Sequence, residues 1–170
     1  NSDFAILKGT IDEVNNISEI IDADVYLNNE ATENVFKDET KNYDIIHVAL
    51  HTIINNKKPM FSNLVFSQTN DSDDGLLHTY EIYGLDINAH LIVLSACETG
   101  CGKLNNGEGI MSLARGFLYA GCPGIVMTLW KVEDNQSAEI ITTFYKYLAE
   151  GKSKIEALRL SKLDYLKSSD

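Results

Sequence analysis

Residues 91–102 read LIVLSACETGCG, an apolar run that stops at a cysteine and opens into glycines. Leu91 to Leu94 show none of the alternation of a strand with one wet face, so residues 90–96 are expected to form a strand buried on both sides. Two further runs share this character: DIIHVALH (44–51) and Gly124 to Leu129. Between them the helical period recurs. The chain is therefore expected to be α/β, with a mostly parallel central sheet flanked by helices.

Caps and breakers mark the other elements. Thr10-Ile11-Asp12-Glu13 fits a capping box for a helix over 11–21, and Ser153-Lys154-Ile155-Glu156 fits another for a helix from 153 to about 166. Helices are expected over 30–38, 78–85, 110–120 and 135–149, the third ending at Gly121 and the fourth at Gly151. Residues 24–27 and 64–67 are short strand candidates, 52–63 reads as a polar loop broken by Pro59, and 68–75 is turn-rich. There is no internal repeat.

Composition narrows the function. A chain of 170 residues with 44% hydrophobic content has the length and composition of one folded domain. A net charge of −11 disfavours nucleic acid and anionic membranes, both of which repel an acidic surface. Only Arg115 and Arg159 offer guanidinium forks for phosphate. No apolar run approaches a membrane span and no signal-like leader is present, so a cytoplasmic protein is expected. Cys97, Cys101 and Cys122 are odd in number and are expected to be reduced thiols.

Cys97 admits several chemistries. Cysteine is often simply a small core residue. A phosphatase loop needs Cys-x5-Arg, but Lys103 stands in the arginine position and cannot form the bidentate fork. A nucleotide loop fails at Cys97 and Leu104, where glycine and Ser/Thr are required. Cys97 and Cys101 have poor spacing for a structural zinc site, so neither a metal nor an organic cofactor is expected. A Cys–His nucleophile remains. His51 and Cys97 each end a long apolar run, and ligands gather outside the C-terminal ends of parallel strands. An imidazolium beside the thiol would favour the nucleophilic thiolate. His47, four residues before His51, falls on the same strand face by alternation and reads as a satisfied core histidine or as one supporting the site.

Four pieces in order then carry a resemblance: the strand-end histidine of IIHVALHT, LSACETG, GEGIMSLAR and LWKVED, followed by FYKYLAEGKSKIEALR. From about Ala31 to Leu166 the sequence resembles the CHAT domain, a caspase- and separase-like peptidase domain often C-terminal to TPR repeats in bacterial proteins. The resemblance implies a caspase-like three-layer sandwich and a single domain over 1–170, residues 1–10 being a linker from an N-terminal TPR region. It implies a cysteine endopeptidase with Cys97 as nucleophile and His51 as base, preferred to His47. The backbone N–H groups of Thr52 and Cys97 would hold the oxyanion. Glycine is common in the family where Thr52 stands, and a β-branched residue tolerates positive φ badly. In LWKVED, Asp134 first and Glu133 second would pair with a basic P1 side chain, while Trp130 would shape the pocket wall. The N-cap of the helix from Asn135 is a competing role for Asp134. Implied partners are a protein or peptide substrate and a TPR region or effector as regulator. The rival reading is a catalytically silent interaction module on the same fold.

Overall fold

The computed structural model describes residues 8–68, 74–95, 108–129 and 134–168. They form two compact units: residues 26–131, and residues 1–25 with 132–170.

The larger unit contains two three-stranded sheets. The first is parallel: β1 (Ile45–Val48) and β6 (Ile125–Met127) flank β5 (Leu91–Leu94). All four residues of β5 are buried, as a strand covered on both faces requires. The second sheet is antiparallel, in the order β2 (His51–Ile53), β3 (Asn63–Val65), β4 (Leu76–His78). Helices α2 (Glu33–Glu39), α3 (Thr79–Ile82) and α4 (Glu108–Tyr119) belong to the same unit. One core joins both sheets to these helices, with Val48, Ile92 and Leu94 from the first sheet, Leu64 and Leu77 from the second, and Ile82, Leu113 and Phe117 from α3 and α4. Lys37 also ties α2 to α3 by bonding Glu33 and Glu81. Burial pushes the Lys37 ammonium down, but the two carboxylates outweigh it and hold its pKa above the ordinary lysine value.

The smaller unit is helical. Helix α1 (Lys8–Ser18) packs on α5 (Asp134–Ala149), which packs on α6 (Lys154–Ser168). Ile17, Ile141, Phe144, Tyr145 and Ala157 are buried, and Tyr147 Oη donates 2.5 Å to Asp164 Oδ2 between α5 and α6.

The α/β class and the parallel sheet agree with the expectation, and the layering is compatible with a caspase-like fold. Several elements differ. The single strand over 44–51 divides: β1 ends at Val48, the chain leaves the parallel sheet through Ala49 and Leu50, and His51 begins a strand of the other sheet. Nothing marks this break locally, because both sheets share the same core. The supposed loop over 52–63 holds most of β2, a 3-10 turn at Pro59–Phe61 and the start of β3. Strand β4 begins between the expected turn over 68–75 and the expected helix over 78–85 and takes the first residue of that helix, and residues 24–27 form no strand. Helix α1 starts before Thr10, so that residue lies inside the helix and does not cap it.

The glycine stops are as expected. After α4 the N–H of Cys122 reaches the carbonyl of Phe117, with Gly121 at φ 113°, a conformation that L side chains rarely adopt. The same 6→1 bond, Lys152 N–H to Tyr147 O, closes α5 at Gly151. Ser153 Oγ accepts the Glu156 N–H to cap α6.

Candidate active site

His51 opens β2, an edge strand of the antiparallel sheet among the described residues. It faces Val65 of β3, which faces Leu76 of β4, so the three side chains form a half-buried row on one face. The row of Thr52, Leu64 and Leu77 lies on the other face, where all three are at most 1% exposed. Nδ1 of His51 is shielded from solvent. His47 lies in β1 opposite Val93. The alternation that linked the two histidines therefore does not hold, since they belong to different sheets.

The direction of the Thr52 backbone follows from the hydrogen bonds of β3. The Thr79 N–H bonds the Ser62 carbonyl at 2.8 Å, and the Phe66 N–H bonds the Gly75 carbonyl at 2.7 Å. Even-numbered residues of β3 therefore turn their backbone groups toward β4. In an antiparallel ladder the bonded pairs alternate, so Asn63 and Val65 turn theirs toward β2 and bond Ile53 and His51. Thr52, between those two, directs its N–H and C=O away from β3. Among the described residues Asn28 is the one non-glycine with positive φ, so Thr52 is in an unstrained conformation. The expected conflict between a β-branched residue and a glycine position does not arise: Thr52 is an ordinary strand residue with its side chain in the core.

The segment after β2 folds onto helix α4. Asn55 N–H donates to Ser62 Oγ (3.0 Å), and Asn55 Oδ1 accepts from the N–H groups of Lys57 and Lys58. Asn56 Oδ1 accepts the N–H of Gly109, in the first turn of α4, at 3.2 Å. Ser62 is fully buried, and its carbonyl also accepts from Thr79 Oγ1. The expectation of a polar loop over 52–63 does not include this arrangement, and no local signal reveals it, because the groups that meet at Gly109 come from a distant segment.

Cys97, Trp130 and Glu133 lie outside the described residues. Asp134 is the first residue of α5, in the helical unit, and its side chain is likewise outside them. Cys122 is buried, is not in a disulfide, and donates its Sγ–H to the Gly124 carbonyl at 3.2 Å. Among the described residues no cluster of three or more His, Cys, Asp or Glu is set to hold a metal, and no helix is long and apolar enough to cross a membrane.

A parallel sheet and an antiparallel sheet on one core, with a histidine at the start of β2, define an α/β domain compatible with caspase-like layering. The CHAT domain family model matches residues 1–170, and the chain belongs to that family, which is caspase-like and related to cysteine peptidases. No curated protein matches the chain.

Proposed function

We propose that this chain is a cysteine endopeptidase in which Cys97 and His51 form the dyad. The observation that carries this reading is the register of the parallel sheet. Ile45 pairs with Leu91 and Val48 with Leu94, an offset of 46 positions, and Ser95 N–H continues the ladder to the Val48 carbonyl at 2.9 Å. His51 and Cys97 keep the same offset, each three positions beyond the last paired residue. Both segments thus leave the sheet at one edge, where α/β folds gather their ligands.

In the proposed reaction His51 takes the thiol proton and the Cys97 thiolate attacks the scissile carbonyl carbon. The resulting oxyanion accepts hydrogen bonds from the N–H groups of Thr52 and Cys97. The direction of the Thr52 N–H, away from β3, supports its part. Collapse breaks the C–N bond, and His51 passes the proton to the departing amine. Water, deprotonated by His51, then hydrolyses the thioester and frees the thiol. A basic P1 side chain is the preference that carboxylates at Asp134 and Glu133 would confer, with Trp130 as an apolar wall. A TPR region or an effector protein would regulate the site.

The test is labelling of Cys97 by peptidyl electrophiles with basic or neutral P1 residues, read by peptide mass, in the wild type and in His51→Ala. Selective labelling that His51→Ala abolishes is the expected result. Labelling that is indifferent to both His51 and the peptide would remove the enzyme reading and leave a binding module.

A further inference from the structure

We propose that Asn56 and Gly109 are positioning residues: they form a clasp that fixes the segment bearing His51 against the helix into which the segment bearing Cys97 runs. The inference rests on the dyad reading above. Two ties join the segments on either side of the proposed dyad. Before it, Ser95 N–H bonds the Val48 carbonyl, three residues ahead of His51. After it, Gly109 N–H bonds Asn56 Oδ1, five residues past His51. The two bonds bracket residues 49–55 and 96–108 in sequence, and each stretch carries one candidate catalytic residue.

The first tie is an ordinary ladder bond of the parallel sheet. The second joins the Asn56 side chain to a backbone N–H and is close-fitting. A Cβ on Gly109 would stand 2.4 Å from Ile54 Cγ2, 2.9 Å from Ser62 Oγ and 3.3 Å from Asn56 Oδ1. Neither nearer neighbour can yield freely: Ile54 is β-branched and packs against the core, and Ser62 Oγ is held by the Asn55 N–H. Glycine at 109 is thus required by the approach of Ile54 and Ser62. Strand β2 needs such an anchor, because it has three residues and β3 is its one strand partner among those described. Where β2 ends is set by the clasp, and with it the backbone that carries His51 and Thr52.

The experiment uses the full chain, with Gly109→Ala, Asn56→Ala and the acceptor-retaining Asn56→Asp, and His51→Ala as reference. Alkylation of Cys97 by iodoacetamide is followed by peptide mass across pH. A thiolate held by an imidazolium stays reactive about two pH units below an ordinary thiol of pKa about 8.5. Gly109→Ala and Asn56→Ala are expected to lower the rate near pH 6 at least about tenfold and the rate near pH 9 less than about twofold, and Asn56→Asp to restore the profile. Unfolding alone would also give an ordinary thiol profile, so each variant is compared only where its helical circular dichroism and its urea midpoint show it to be folded under the assay conditions. Wild-type profiles in both variants, with His51→Ala altered, would overturn the positioning role and leave the dyad standing. If His51→Ala itself matches the wild type, the dyad reading fails, and amide hydrogen exchange decides the clasp. Joint loss of protection over 51–62 and 108–113 in Asn56→Ala upholds it as the link between the segments; loss in one segment alone, or in neither, overturns it.

Discussion

Replacing Thr52 by proline isolates the proposed oxyanion donor. Proline removes one N–H, and in a sheet it is tolerated on an edge strand where that N–H faces outward. Thr52 meets this condition: it lies on β2, and the bonded pairs with β3 are His51–Val65 and Ile53–Asn63. No bond of the β2–β3 ladder is lost, and His51, already in a strand, has the extended conformation a residue before proline prefers. The fixed φ of proline, about −65°, still pulls at the strand, and the buried hydroxyl is lost. Thr52→Val is therefore the control, since it keeps the N–H and the β-branched shape. Loss of one oxyanion donor raises the barrier by about 3 kcal/mol, or about 150-fold in rate. The assay compares hydrolysis of a peptidyl coumarin amide with alkylation by iodoacetamide, which displaces iodide and forms no oxyanion. Thr52→Pro is expected to lose hydrolysis by about that factor relative to Thr52→Val while its alkylation rate changes less than about threefold. Unchanged hydrolysis would refute the assignment of the donor. An equal fall in both reactions would refute it too, because the change would then have disturbed the dyad.

Three further outcomes are expected. Gly121→Ala puts a Cβ 2.7 Å from the Ile87 carbonyl oxygen at φ 113°, so it should destabilise by about 1–3 kcal/mol, read as a lower urea midpoint with unchanged slope. The Asp164 carboxyl is held below its ordinary pKa of 3.8 by the hydrogen bond from Tyr147 and then by that from Lys167. Its contribution is therefore present above that value and is lost as pH falls through the depressed one; Asp164→Asn should flatten this part of an acid unfolding curve followed by helical circular dichroism. Asp134→Ala should erase a preference for Arg or Lys at P1 in a library of P1-varied peptides, whereas an unchanged preference would leave Asp134 only its place at the start of α5.

The parts legible in the sequence are those whose cause is local. Strand β5 is recognisable because burial on both faces removes alternation, and Leu91 to Leu94 are all buried. The ends of α4 and α5 are recognisable because Gly121 and Gly151 supply the left-handed turn that closes a helix. The division of 44–51 is not, since changing sheets within one core needs no breaker: Ala49 and Leu50 look like more of the same strand. Gly109 carries no local sign either, because the groups that exclude a side chain there, Ile54 and Ser62, belong to a distant segment. The direction of the Thr52 N–H depends on a parity set two strands away, by the bonds from Thr79 to Ser62 and from Phe66 to Gly75. These hidden features meet at the candidate site. Because the chain changes sheets before His51, that residue is tied to β3 by its backbone while the next N–H is turned away from the ladder. A motif can name the histidine; only the pairing of β2 decides whether the following amide faces a partner strand or an oxyanion.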